Sequence, residues 1–391
     1  MSSTMKPTFA LALAAAALLL VGCSSMPGTD AAEQQKDSSA RAEYYETAAV
    51  TYYDGARYDL AAMQFRRVLE ERPTDKKAKR GLGKSLYMDA AGNQGLSRGE
   101  RAARLREAQT MLEEVVPLEW PNPNGQGSRR YEVQTDLALV YLELADLYDR
   151  DVRDLRYRMD RDPTASTSEL SGTVEVQVSK RNELLNKAIP LLHEVLAASP
   201  ENPYALASLA KAHLQAGNDE TGIDFAQRYL NLSRRSQHQW KQQLDMYAEA
   251  VEGRVTNQQR NFYMSKIAGA RDKEKKMHLL LGSVYMRRSE FGKAANAYSQ
   301  VIKIDQSVPA AYLERAQSLA ALQQYNRAVN DLEEYLKITD PALHRTQRMK
   351  AVELLDRYQG ALARRGAAPV PDRAGGLGGR PGDALGSPDG R

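Results

Sequence analysis

The chain has 391 residues, of which 27% are charged and 42% hydrophobic, and its formal net charge at pH 7 is +4. This length exceeds one ordinary globular core, and the large charged fraction excludes a protein with many membrane spans. Acidic and basic residues are mixed along the chain, so its charge does not indicate a nucleic-acid partner. The single cysteine, Cys23, excludes an internal disulfide and a cysteine-based metal site.

Residues 1–22 are typical of a secretory leader. An apolar run at 9–21 follows a weakly basic start and is too short for a bilayer span, which takes about 20 apolar residues. The run ends in Leu-Val-Gly followed by Cys23, which resembles the lipobox of bacterial lipoproteins. That resemblance implies cleavage before Cys23, which then carries acyl chains that hold the protein to a membrane. By the family rule, Ser24 in place of aspartate implies the periplasmic face of the outer membrane; an ordinary secretory leader is the alternative.

The two ends of the mature chain are predicted to be unstructured. Residues 23–40 are polar and rich in Ser, Asp and Gln, which predicts a flexible tether. Nearly half of residues 366–391 are Gly or Pro, which predicts a disordered tail.

Residues 42–75 predict the first pair of amphipathic helices. Small and apolar residues recur there at steps of three and four, and Pro73 ends the second helix. Residues 76–122 begin in the same way, but their second helix starts 13 residues late. The Gly- and Asn-containing segment 91–95 is therefore predicted to be an inserted loop.

Residues 131–202 depart most from this pattern. One apolar stripe of about 30 residues runs from Tyr131 to Met159, roughly twice the length of the other predicted helices. A turn is expected at 163–172, and a returning helix ends at Pro200. The pattern predicts a long helical hairpin, and a disordered insert at 150–180 is the alternative.

The remaining chain is predicted as four further units. Residues 203–236 return to the plain spacing, and 237–274 form a degenerate copy. Residues 275–308 and 309–342 carry the clearest copies, and 343–365 suit a capping helix. The apolar face expected of that cap consists of Val352, Leu355, Tyr358 and Leu362.

The two clearest copies are separated by 34 residues, as Gly282 is from Ala316 and Ala294 from Ala328. Small residues occupy the points where two helices would approach closest, and aromatic residues fill the space between. The period and the residue types resemble the tetratricopeptide repeat (TPR). Because one hairpin cannot bury its own apolar face, the resemblance implies an all-α, right-handed superhelical solenoid. It would hold about seven helical hairpins and a C-terminal capping helix.

A candidate binding site follows from the same resemblance, since the first helix of each such repeat lines a concave groove. In the second repeat the groove face carries one stripe: Lys77, Arg80, Lys84 and Tyr87. The preceding repeat adds Tyr53. Three cations beside two tyrosines predict a site for the carboxylates of a partner protein, and a solvated helix face is the alternative.

Residues with catalytic or metal-binding potential do not form a recognisable pattern. The segment 83–85 matches only the end of a phosphate-binding loop, and Ala78 replaces the first glycine of that motif. His193 and Glu194 begin a zinc-protease motif, but Ala197 replaces its second histidine. We therefore expect a protein that is not an enzyme, with no cofactor and no metal.

Together the leader and the repeats predict a lipid-anchored scaffold on the periplasmic face of a bacterial outer membrane. It would bind protein partners of the cell envelope and assemble or stabilise their complex, in outer-membrane assembly, pilus, secretion or motility machinery. The alternative is an accessory regulator that presents a peptidoglycan- or polysaccharide-processing enzyme.

Overall fold

The structure is a computed structural model that describes residues 31–117, 130–161, 167–249 and 257–366. Across these ranges the backbone forms thirteen α-helices and no strand. In chain order they are α1 Ala31–Asp54, α2 Tyr58–Glu71, α3 Lys76–Gly92, α4 Arg98–Val115, α5 Arg130–Arg161, α6 Thr167–Ala198, α7 Pro203–Ala216, α8 Asp219–Glu249, α9 Asn257–Arg287, α10 Phe291–Ile304, α11 Pro309–Ala321, α12 Tyr325–Ile338 and α13 Arg345–Gly366. None of these helices combines the length and hydropathy needed to cross a bilayer. The leader, Cys23 and the tail at 367–391 lie outside the described residues.

Consecutive helices pack as pairs. Contacts join α1 to α2, α3 to α4, α5 to α6, α9 to α10 and α11 to α12, and α13 packs against α12. Helices α7 and α8 meet at Gly222, where an added Cβ would lie 2.5 Å from Leu214 Cγ. The chain divides into two compact units, residues 1–208 and 209–391. The described residues therefore hold six helix pairs and a terminal helix.

Small residues lie at the predicted points of closest approach. An added Cβ at Gly282 would come within 2.6 Å of the Tyr298 ring, so only glycine allows α9 and α10 to pack this closely. Ala294, Ala316 and Ala328 are fully buried. The repeat register predicted for residues 275–342 is thus confirmed.

The predicted tether is wrong for residues 31–40, which form the start of α1. Ser38 Oγ donates a 2.8 Å hydrogen bond to the Glu71 carboxylate of α2, and Arg41 Nε lies 2.8 Å from the same carboxylate. Residues 31–40 contain neither Gly nor Pro, so their polar composition does not interrupt a helix that α2 holds in place.

The insert of the second repeat is mainly extra helix and not an inserted loop. Helix α3 continues through Gly92 and α4 begins at Arg98, which leaves only residues 93–97 between them. A capping box starts α4, in which Ser97 Oγ accepts from the Glu100 backbone and the Glu100 carboxylate accepts from Ser97 N. The added turns contact each other through Asp89 and Arg104, whose charged atoms lie 2.5 Å apart.

Helices α5 and α6, each 32 residues long, form the predicted long hairpin. The alternative of a disordered insert at 150–180 is wrong wherever the structure describes that stretch. Residues 167–172 of the predicted turn belong instead to α6, which begins at Thr167, and residues 163–166 lie outside the described residues. Side chains near the base of the hairpin, such as Leu142 and Leu185, are buried, whereas Tyr157 and Val176 farther along are about half exposed.

Residues 237–274 do not form a repeat of their own. Helix α8 runs on to Glu249, and α9 begins at Asn257 as an extension of the next repeat's first helix, so each has 31 residues. The sequence from Ile223 to Glu249 contains no Gly or Pro that would end α8. Within the described residues, the expectation of about seven repeats is therefore corrected to six helix pairs.

The capping helix forms as predicted, but its buried face is rotated. Ala351, Leu354 and Tyr358 are buried, with Leu355 and Leu362 packed partly against the core. Val352 was expected on this face and is 45% exposed. The expected face is therefore wrong at Val352, which lies one position from buried Ala351, about 100° around the helix.

Candidate partner-binding surface

Helix α3 carries four of the five predicted groove residues, and Asp75 fixes where it begins. The Asp75 carboxylate accepts hydrogen bonds from the backbone N–H groups of Lys77 and Ala78 at 2.9 and 3.0 Å. These bonds satisfy two donors that the first turn of a helix leaves unpaired. The register of the stripe along α3 is thus set by one N-cap.

Two glycines fix the orientation of α3 about its axis. A Cβ at Gly81 would lie 2.4 Å from Phe65 Cζ of α2, and one at Gly83 would lie 2.7 Å from Leu112 Cγ of α4. Helix α3 therefore packs closely against α2 on one side and α4 on another. Gly83 faces the partner helix as predicted, and the side that remains carries the stripe.

The structure joins Arg80 and Lys84 through an acidic residue that the sequence did not single out. Asp136 of α5 is only 9% exposed, and Arg80 donates to its Oδ2 from Nε and Nη2, both at 3.2 Å. Lys84 Nζ lies 3.9 Å from Asp136 Oδ1. Glu132, one turn earlier on α5, accepts from Arg80 Nη2 at 2.9 Å. Burial raises the pKa of Asp136, and the charges of Lys84 and Arg80 oppose that rise.

Tyr53 of α1 reaches the same group. Lys84 Nζ lies 5.7 Å from the centre of the Tyr53 ring, within cation–π distance, and the Tyr53 and Tyr58 rings meet edge to face at 5.2 Å. Burial, with smaller contributions from Tyr58 and Asp136, raises the pKa of Tyr53 to about 12. A phenol is protonated at neutral pH even at its ordinary pKa, so Tyr53 can donate a hydrogen bond there.

Tyr87 lies one turn beyond Lys84, and its surroundings also disfavour the ionised phenol. Burial raises its pKa, and the carboxylates of Glu143 and Asp136 on α5 add to the shift. Tyr53, Lys84, Tyr87 and Asp136 thus come from α1, α3 and α5, the first helices of three successive repeats. We call this set, with Arg80 and Glu132, the tyrosine–arginine surface.

The charge of this surface differs from the prediction. Two of the three expected cations, Arg80 and Lys84, lie against Asp136, and their side chains are 16% and 38% exposed. Lys77 lies outside the network and is exposed. A partner carboxylate would meet neutralised charges here, so the predicted basic stripe becomes a mixed surface. That these residues bind a partner remains a prediction.

The segment that matched the end of a phosphate-binding loop is an ordinary part of α3. Ser85 is fully buried and its hydroxyl donates to the Gly81 carbonyl at 2.7 Å, a bond within the helix. Among the residues that the structure describes, no three His, Cys, Asp or Glu side chains are grouped as metal ligands. Glu194 of the partial zinc motif instead accepts a 2.5 Å hydrogen bond from Gln134.

Family models match two stretches of the chain. Residues 182–243 match one model described as a tetratricopeptide repeat, and residues 279–343 match another. Both stretches are therefore similar to tetratricopeptide repeats. The second covers α10, α11 and α12 with the end of α9, where the 34-residue spacing is clearest. The predicted fold class, an all-α TPR solenoid, is confirmed.

The solved structures that match this chain share little sequence with it, and their TM-scores are low. A point mutant of MamA is 13% identical, with 68% of this chain and 97% of that chain covered and a TM-score of 0.33. The nuclear import adaptor Nro1 of S. pombe is 14% identical, with 83% of this chain and 99% of that chain covered and a TM-score of 0.34. A tetratricopeptide repeat protein from Parabacteroides merdae is 12% identical, with 82% of this chain and 99% of that chain covered and a TM-score of 0.32. A search of curated protein sequences found no similar protein.

Proposed function

We propose that this protein is a lipid-anchored TPR scaffold of the bacterial cell envelope, which binds a protein partner on the tyrosine–arginine surface. The observation that carries the binding role is the convergence of α1, α3 and α5 on one set of tyrosines and charges. Repeat proteins of this architecture use such extended surfaces to bind other proteins. Tyrosines supply large contact area at low entropic cost, together with a hydrogen-bonding hydroxyl.

The partner best suited to this surface is an amphipathic segment with few charges of its own. Tyr53 and Tyr87 are partly exposed and offer aromatic area, whereas Arg80 is already paired with Asp136 and Glu132. An acidic segment would have to replace those carboxylates and would gain little from Arg80. Lys77 and Glu132 are exposed at the edge and can orient the partner through opposite charges.

The proposed location in the cell envelope rests on the resemblance of the sequence at Cys23 to a lipobox. The acyl chains on Cys23 would lie in the periplasmic leaflet of the outer membrane. Two or more acyl chains anchor a protein stably. Replacing Cys23 with serine should abolish fatty-acid labelling and leave the leader uncleaved by the lipoprotein peptidase. Labelling equal to that of the wild type would show that Cys23 carries no lipid.

The binding role is tested by site-specific photo-cross-linking in cells. A photoreactive phenylalanine analogue at Tyr53 or Tyr87 should capture the same envelope protein, whereas the analogue at Tyr157 serves as a control. Tyr157 is also a helical tyrosine and is 54% exposed, but it lies on the α5–α6 hairpin. Capture from Tyr157 alone would move the binding site to that hairpin. Capture of a glycan-processing enzyme would instead indicate an accessory regulator.

A further inference from the structure

Helices α8 and α9 expose large apolar side chains where they extend past the repeat pattern. We call residues 235–249 and 257–271 the α8–α9 tip. Met246, Phe262 and Met264 of this tip are 61%, 53% and 49% exposed. The tip also holds five Lys or Arg and two Asp or Glu residues, so its net charge of +3 is most of the +4 of the whole chain.

Aromatic and basic side chains of the tip lie against each other. Lys266 Nζ is 4.8 Å from the centre of the Phe262 ring and 5.7 Å from the centre of the Trp240 ring. Phe262 also meets Tyr263 edge to face at 5.3 Å. Tryptophan and tyrosine favour the boundary between lipid and water, where a lysine stem lies along apolar surface and its ammonium reaches the head groups.

The exposed apolar side chains do not share one face. Phe262 and Met264 are two residues apart on α9, so they project about 200° apart around the helix axis. A protein partner that docks against one side of α9 would cover either Phe262 or Met264 and leave the other in water. A lipid interface surrounds an inserted tip and can take up both. The positive net charge adds attraction to anionic lipid head groups.

We propose that the α8–α9 tip inserts into the interface of an anionic phospholipid membrane. Met246, Phe262 and Met264 enter the boundary region between head groups and acyl chains, and Lys266, farther from the start of α9, lies at the level of the lipid phosphates. This contact is made by the protein's own side chains and is independent of any acyl chain on Cys23. It adds a second membrane contact to the proposed function and does not depend on it.

The test uses residues 24–391, which keep every described residue and lack the leader and Cys23. Trp120→Phe leaves Trp240 as the only tryptophan, so its fluorescence reports the tip. Vesicles of equimolar phosphatidylglycerol and phosphatidylcholine should shift the Trp240 emission to shorter wavelength. The protein should also float together with these vesicles when they are centrifuged in a density gradient. Vesicles of phosphatidylcholine alone should bind it much more weakly, and added salt should reduce binding to the anionic vesicles.

Serine at Met246, Phe262 and Met264 together should weaken vesicle partitioning on the order of tenfold or more. The matched control places serine at three apolar positions of similar or greater exposure, Leu343, Met349 and Val352, which are 79%, 66% and 45% exposed. This control should bind vesicles like the parent. Because all six side chains are exposed, both variants should keep the parent's helical content.

Equal partitioning of the tip variant and the parent would overturn the proposal, as would equal loss in the control variant. Absence of vesicle binding by the parent would also overturn it. A photo-cross-linked protein partner that depends on Phe262, without any vesicle binding, would assign the tip to a protein interface instead. Failure of the Cys23 or Tyr87 experiments would leave this result unchanged, because neither residue is part of the tip.

Discussion

Replacing Asp136 with asparagine should destabilise the contact between the second and third repeats. The substitution keeps the side-chain size but removes the negative charge that lies between Arg80 and Lys84. Removing one member of a buried ion pair typically costs about 3–5 kcal/mol, because the other charge is left unpaired. Here the cost should be lower, since Glu132 still accepts from Arg80 at 2.9 Å and the Lys84 side chain is 38% exposed. We expect a loss of about 1–3 kcal/mol.

Urea unfolding followed by circular dichroism measures this loss. Repeat arrays can unfold in several transitions. The variants are therefore compared at the midpoint of the one transition that Asp136→Asn shifts. Glu132→Gln is the matched control, because its side chain is 64% exposed and its pair with Arg80 should contribute only about 0–1 kcal/mol. Arg80→Met combined with Asp136→Leu removes both charges and should restore part of the stability. If Asp136→Asn lowers the unfolding free energy no more than Glu132→Gln does, the Asp136 carboxylate does not stabilise the contact between the two repeats.

Three further predictions test other parts of the structure. Ala328 is fully buried, so Ala328→Leu should lower the unfolding free energy by roughly 1–3 kcal/mol through overpacking, and an unchanged urea midpoint would contradict the repeat register. Burial, with a smaller contribution from Arg234, lowers the pKa of His278 to about 4. The unfolded chain then binds more protons below about pH 6.5, so stability should be full above that pH and fall by about 2–3 kcal/mol toward pH 4. The contribution of His278 is the loss of unfolding free energy on acidification in the wild type minus the loss in His278→Leu. Parallel curves of unfolding free energy against pH for the two proteins would refute this prediction. Lys77→Glu should leave the unfolding midpoint unchanged and slow association with the cross-linked partner by less than about fivefold, because Lys77 lies at the exposed edge of the surface. Surface plasmon resonance measures the association rate, and an unchanged rate would exclude Lys77 from the interface.

The parts of the fold that the sequence predicted are those governed by local sterics. Gly83 and Gly282 occupy positions where an added Cβ would collide with a side chain of the paired helix, so a small residue was required there. The 34-residue period between Ala294 and Ala328 follows from the same requirement repeated in each unit. Such signals depend only on two neighbouring helices, and a sequence pattern records them directly.

The errors arose in segments that lack residues which end a helix. Residues 237–249 contain apolar residues at plausible repeat spacing, but nothing ends α8 before Glu249. The polar composition of residues 31–40 suggested a tether, although Ser38 and Arg41 contact Glu71 from a continuous helix. In both segments helix continuation decided the structure, and composition did not reveal it.

The chemistry of the candidate site was only half predictable. Spacing placed Arg80 and Lys84 on one side of α3, as the structure shows. Asp136 lies 56 residues after Arg80, and its approach depends on how α5 is rotated against α3. Helix α5 carries several acidic residues along its length, so none of them could be assigned to the groove without the packing of neighbouring repeats.

The ion pair between Arg80 and Asp136 also determines how salt would act on an acidic ligand. A ligand carboxylate that displaces Asp136 exchanges one ion pair for another, so few additional counterions leave the surface. Its affinity would then change little with ionic strength, unlike that of a ligand bound at exposed Lys77, where screening acts over about 8 Å at physiological salt. The slope of affinity against salt concentration would therefore report which of the two cations a ligand contacts.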